Sequence, residues 1–268
     1  MTRHYTNRRY LDAVQERVLV IGGPNGTNLQ KLHLTAEHFG GEQYNGCNDY
    51  LILTYPQAVE QVHRSFLEAG TDALITNTFR ANRLTLAEYG LADQVREINQ
   101  AAACLARRLA DEYPGRRFVA GSIGPSGRLP SADDPELSRI TFDELADVFA
   151  EQAEGLILGG VDVLLIETMQ DILELKAVIF GIHQAFKKTG IYLPIQAQVT
   201  LDTTGRMLLG TDISTALTIL EGLPIDIIGM NCSTGPEHMR EPIRFLGENA
   251  SLPISCIPNA GLPINVDG

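Results

Sequence analysis

The chain has 268 residues, 44% of them hydrophobic and 20% charged, a balance that can bury a core and excludes the low-hydrophobicity regime of disordered chains. Its 21 Lys and Arg against 33 Asp and Glu leave a formal charge of −12, which excludes the basic footprint that nucleic acid or an anionic membrane surface requires. No run reaches the roughly 18 to 20 apolar residues of a membrane span, and the polar start Met1 to Tyr10 has no apolar segment behind it, so a cytoplasmic protein is expected, with no nucleic-acid and no membrane partner.

In chain order, residues 1–17 read as an N-terminal extension and residues 18–268 as one domain. Short apolar runs then alternate with longer segments of helical apolar spacing. The runs are Val18 to Ile21, Ala73 to Ile75, Phe118 to Ala120, Val163 to Ile166, Ile195 to Val199, Ile225 to Ile228 and Pro253 to Ile257. Thr54-Tyr55-Pro56-Gln57 and Thr141-Phe142-Asp143-Glu144 both predict capping boxes at helix starts. Near-continuous apolar strands such as Val163-Leu164-Leu165-Ile166 suit a parallel sheet buried on both faces, and helix-sized connections are what parallel strands need. The fold class is α/β.

Small or polar residues recur where the runs end: Gly22-Gly23, Thr76-Asn77-Thr78, Gly121 to Pro125, Glu167-Thr168, Thr200, Asn231-Cys232-Ser233 and Asn259. A (βα)8 TIM-type barrel builds one functional rim from many strand ends in this way. An open doubly wound sheet more often carries a glycine-rich phosphate loop after its first strand, and Gly22-Gly23-Pro24-Asn25-Gly26 does not match GxGxxG. Seven runs are one short of a barrel, and Pro258 to Gly268 reads as a loop. The expectation is a barrel lacking its last strand and helices, C-terminally incomplete.

Five strings in order, Asn25-Gly26-Thr27-Asn28-Leu29-Gln30, Thr76-Asn77-Thr78-Phe79, Ile166-Glu167-Thr168, Gly229-Met230-Asn231-Cys232-Ser233-Thr234-Gly235-Pro236 and Pro258-Asn259-Ala260-Gly261-Leu262-Pro263, resemble the homocysteine S-methyltransferase family. Within it they are most similar to the homocysteine-binding domains of cobalamin-dependent methionine synthases. The resemblance implies a (βα)8 barrel in which three cysteine thiolates hold Zn²⁺, homocysteine sulfur is the fourth ligand, and the methyl group comes from methylcobalamin and 5-methyltetrahydrofolate on folate- and cobalamin-binding domains of the same polypeptide or a separate subunit. It also implies a metal ligand at Cys232 and substrate-binding roles for Glu167, Gly26, Thr27, Asn77 and Asn231. The other two cysteines of the family form a Gly-Gly-Cys-Cys-Gly string that this sequence does not contain. Gly22 and Ile75 stand where the family has Asp and Glu. A non-catalytic binding or assembly module of the same family is the alternative that these departures suggest.

The residues carry their own chemistry beside the resemblance. A thiol is mostly protonated at neutral pH, and coordination to zinc deprotonates it outright. Cys232 lies just before Gly235-Pro236-Glu237, a helix start that would place its thiolate near a positive helix end. Cys256 on the seventh run reads as core packing, and Cys47 and Cys104 as structural. The six histidines, His4, His33, His38, His63, His183 and His238, show no paired ligand spacing and read as solvated or structural.

Overall fold

A computed structural model describes residues 4–261. Six strands, β1 (Ala73–Ile75), β2 (Phe118–Ile123), β3 (Val163–Met169), β4 (Ile195–Val199), β5 (Ile227–Asn231) and β6 (Ile254–Ile257), form one parallel sheet in sequence order, an α/β half-barrel. Helices connect successive strands: α3 (Pro56–Glu68) leads to β1, α4 (Val95–Glu112) to β2, α5 (Phe142–Leu158) to β3, α6 (Ile172–Thr189) to β4, α7 (Ile213–Leu220) to β5 and α8 (Pro236–Asn249) to β6. Before them come α1 (Arg9–Glu16), α2 (Asn25–Gln30) and the four-residue helix Leu51–Thr54.

Six of the seven expected strands are present. Val18 to Ile21 is not a strand: only Ile21 pairs, as a single parallel bridge to Ala73, and Val18 and Val20 are 87% and 61% exposed. A run whose alternate residues face solvent lacks the second buried face that stabilises its neighbours. Residues 258–261 carry no helix or strand, and Leu262 to Gly268, like Met1 to Arg3, lie outside the described residues.

The Thr141 capping box forms in full, with Glu144 N–H donating to Thr141 Oγ1 and Thr141 N–H donating to Glu144. The Thr54 box does not form. Thr54 ends the short helix Leu51–Thr54 and its hydroxyl donates back to the Tyr50 carbonyl, so α3 starts from Tyr55 with Pro56 at its first position and no side-chain cap. Elsewhere Asp171 caps α6 and Asp212 caps α7, the latter carboxyl lowered to about 2 chiefly by the Thr215 N–H it accepts.

Alternate strand residues pack on opposite faces. Leu74, Val119, Leu164, Ile166, Ala197, Val199, Ile228 and Met230 join the helices in the main core. Ala73, Phe118, Ala120, Val163, Leu165 and Ile227 form a second cluster on the concave face, closed by Tyr10, Leu11 and Ala13 of α1. Tyr10 stacks edge-on to Phe118 with ring centroids 5.5 Å apart, and its hydroxyl donates to Gln196 Oε1 at 2.9 Å. The stretch read as an extension is thus a plug over the concave face.

That plug is latched by a repeated device. Asp72, Asp162 and Asp226 each stand one residue before a strand, and each accepts a backbone N–H from an adjacent segment, from Val20, Val119 and Ile195 respectively. The N-terminal segment reaches all three: Tyr5 donates to Asp226, Asn7 and Arg9 to Asp162, and Arg17 to Asp72 through two nitrogens at 2.7 and 2.9 Å.

Candidate functional site

A cavity of about 1620 Å³ runs from the N-terminal segment at Tyr10 and Val14 along the concave face to the opposite end of the strands, where Ser122 of β2, Glu167 and Thr168 of β3 and the residues after β1, β5 and β6 line it. Glu167, Gly26, Thr27, Asn77, Asn231 and Cys232 all line it. Fold topology brings them there: in a parallel sheet every strand points its C-terminal end the same way, so residues more than a hundred positions apart share one rim.

Glu167 sits near the end of β3, where the pairing with β4 slips. Ile166 pairs with Ala197 and Met169 with Val199, so three steps on β3 span two on β4 and Glu167-Thr168 form a bulge. Ser122 of β2 donates to Glu167 Oε1 at 2.5 Å, and Asn231 Nδ2 lies 3.3 Å from Oε2. Burial raises the Glu167 carboxyl to about 7, against the lowering effect of the Ser122 hydroxyl. A carboxyl there changes charge near neutral pH, and its ionised form suits an ammonium group.

Asn231 ends β5, 3% exposed, and its carboxamide crosses to Thr168: Thr168 N–H donates to Oδ1 at 2.7 Å, and Nδ2 donates to Thr168 Oγ1 at 2.8 Å. Its carbonyl accepts the Thr200 hydroxyl. Thr168, Cys232 and Ser233 all have φ near +60°, a left-handed conformation that costs non-glycine residues free energy and is concentrated at functional sites. Gly229, two residues before Asn231, admits a close approach: a Cβ there would lie 2.1 Å from the Ser255 carbonyl oxygen.

Cys232 follows, half-buried, its N–H donating to the Ile257 carbonyl at 3.0 Å, with α8 beginning at Pro236 as the sequence predicts. Asn77 is 6% exposed and donates to the Asn48 carbonyl at 2.7 Å, which ties the β1 rim to the loop before α3. Gly26 and Thr27 lie in α2, with Thr27 exposed. Ile75 and Gly22 also line the cavity, and a Cβ on Gly22 would meet Phe66 at 3.6 Å, ordinary contact distance.

Among the described residues no group of three His, Cys, Asp or Glu stands close enough to hold a metal ion. Cys256, expected in the core, is instead exposed on the edge strand β6, its Sγ 3.9 Å from Met239 Sδ. Ser255 takes the concave face, where Gln196 and Gln198 both donate to its hydroxyl, and Cys256 faces the helix side beside its strand partner Met230; it is exposed because β6 is the sheet edge and no strand beyond it covers it among the described residues. Cys47 is buried with its thiol raised to about 11, chiefly by desolvation, and Cys104 is exposed on α4.

Sequence reasoning placed Ser122 and Thr168 in the rim strings but gave neither a role in the site. Ser122 was within reach, because Phe118, Ala120 and Ser122 alternate on one strand and a polar residue in an inward series is a signal. Thr168's bend was not, since nothing local in Glu167-Thr168-Met169 announces a bulge.

The family model for homocysteine S-methyltransferases matches residues 19–268. The chain belongs to the homocysteine S-methyltransferase family. It is 43% identical over 265 residues to the methionine synthase of Mycobacterium tuberculosis and 41% identical to that of Mycobacterium leprae, covering 98% of this chain in both comparisons and 22% and 21% of those proteins. The chain therefore spans about a fifth of the length of these relatives. Its fold is similar to the metallated form of the homocysteine methyltransferase MmuM from Escherichia coli, with a TM-score of 0.76 at 20% identity over 94% of this chain and 87% of that one. No helix among the described residues is long and apolar enough to cross a membrane.

Proposed function

We propose that this member of the homocysteine S-methyltransferase family is the homocysteine-binding domain of a cytoplasmic methionine synthase, a (βα)8 barrel domain spanning residues 18–268 whose concave face is plugged by the helix Arg9–Glu16 of the preceding extension. Its reaction converts homocysteine to methionine: a sulfur–methyl bond forms, the donor's bond to that methyl breaks, and the thiol proton leaves. Methylcobalamin and 5-methyltetrahydrofolate are the proposed donors, presented by folate- and cobalamin-binding domains, in keeping with the multidomain length of the methionine synthases it resembles.

The observation that carries this reading is that Glu167 and Asn231-Cys232 stand side by side on the wall of one cavity, Asn231 Nδ2 3.3 Å from Glu167 Oε2, a carboxyl beside a strand end that carries a thiol. Glu167 takes the substrate ammonium, Asn77, Gly26 and Thr27 line the remainder, and Cys232 is one proposed thiolate donor to zinc. A single thiolate does not make a zinc site, and the described residues bring no partner donors to it, so the donor set among them does not fit the metal.

Titration calorimetry of the whole protein with homocysteine tests the reading. Glu167→Gln is expected to weaken homocysteine binding about tenfold to a hundredfold, the loss of one charge-assisted hydrogen bond. Equal affinity of the two proteins, or no binding by the unaltered protein, overturns it.

A further inference from the structure

The bulge in β3 leaves a strained residue whose backbone has slipped off the sheet ladder. Thr168 is β-branched and sits at φ 61°, a conformation such residues adopt only when the surroundings impose it. Its N–H and its hydroxyl are both taken by one side chain, the carboxamide of Asn231, at 2.7 and 2.8 Å. The same Nδ2 is 3.3 Å from Glu167 Oε2, a longer and weaker contact. The carboxamide reaches across from β5 to β3, past the intervening strand β4.

We propose that Asn231 is a positioning residue: its carboxamide holds the Glu167-Thr168 bulge in its left-handed bend and so fixes the Glu167 carboxyl relative to the strand end that carries Cys232. This inference rests on the homocysteine reading above. An amide supplies the acceptor that the Thr168 N–H needs and the donor that its hydroxyl and Glu167 need. Aspartate has the acceptor but turns a second carboxylate toward Glu167, and alanine has neither group. The two short bonds both go to Thr168, so the principal effect falls on the bend, and through it on where the carboxyl points.

Glycine separates this role from direct contact with substrate, because glycine adopts a left-handed conformation without support. The whole protein is assayed with homocysteine as the varied substrate for Asn231→Ala, Asn231→Asp, Thr168→Gly and the double variant Asn231→Ala/Thr168→Gly, with Thr168→Gly as reference for the double. Asn231→Ala and Asn231→Asp are expected to raise KM for homocysteine about tenfold while kcat changes much less, and the double variant to regain most of that loss. A double variant as impaired as Asn231→Ala overturns the proposal and makes Asn231 a direct substrate contact. An unchanged KM in Asn231→Ala overturns it too.

If the unaltered protein neither binds nor methylates homocysteine, the substrate reading fails by itself. Thermal unfolding then decides the bend: Asn231→Ala lowers Tm and Thr168→Gly added to it restores Tm if Asn231 holds the bend, and no recovery overturns that too.

Discussion

The Ser122 hydroxyl donates to Glu167 Oε1 at 2.5 Å, from β2 to β3, and it is the principal contact that draws the buried carboxyl toward its ionised form. Burial still wins and leaves the carboxyl at about 7. Binding of an ammonium ligand is therefore expected to strengthen as pH rises through about 7, since only the ionised carboxylate attracts the cation. Ser122→Ala removes the stabilising donor and should move that midpoint upward. Homocysteine affinity measured at pH 6, 7 and 8 checks both statements.

The same carboxyl costs stability where it is most useful. Its ordinary value near 4.5 rises to about 7 on folding, so its contribution is complete below about pH 4.5 and is lost as pH rises through 7. Glu167→Gln should be more stable than the unaltered protein at pH 8 by about 2 kcal/mol, less than the full displacement would give because the carboxyl opens onto the cavity. The two should be nearly equal at pH 4.5. Urea midpoints at the two pH values measure the difference.

His63 of α3 is fully buried, and neither ring nitrogen has a hydrogen-bond partner. Desolvation lowers it from 6.5 to about 4. A base whose folded value is depressed contributes stability that is present above pH 6.5 and lost as pH falls toward 4, because the unfolded chain takes up the proton first. The loss is about 3 kcal/mol across that window. His63→Leu should remove this slope, seen as a smaller drop in the urea midpoint between pH 7.5 and pH 4.5 than the unaltered protein shows.

Tyr10 joins the N-terminal plug to the concave face through its contact with Phe118 and its bond to Gln196. Tyr10→Ala should cost about 3 to 5 kcal/mol through the cavity it leaves over that cluster. Tyr10→Phe should cost about 1 to 2 kcal/mol, for a buried Gln196 oxygen left without its donor. Chemical denaturation separates the two, and equal losses would assign the whole effect to the hydrogen bond.

Thr141 and Thr54 give a paired test of the caps. Thr141→Ala should destabilise the protein by about 1 kcal/mol through the lost capping box. Thr54→Ala should fall within about 0.5 kcal/mol, since its hydroxyl only bonds back to Tyr50 in the preceding short helix.

The sequence by itself determined the α/β class, six of the strands, the Thr141 cap and the gathering of Glu167, Asn77, Asn231 and Cys232 at strand ends. These were legible because burial on both faces of a parallel strand writes a local apolar run, and because the residue that ends such a run falls on the rim whatever the rest of the chain does. Only tertiary structure decided that Val18 to Ile21 contributes a single bridge, that Arg9 to Glu16 plugs the concave face, and that Cys256 lies exposed on an edge strand while Ser255 faces the concave side. Asp72, Asp162 and Asp226 are visible as three acidic residues before apolar runs, yet their latch partners Arg17, Arg9 and Tyr5 lie 55, 153 and 221 positions away. The bend at Thr168 likewise depends on a carboxamide 63 positions further along the chain. A hydrogen bond between such distant residues leaves no periodic trace in either segment, since periodicity records which face of an element is buried and not which partner lies across from it.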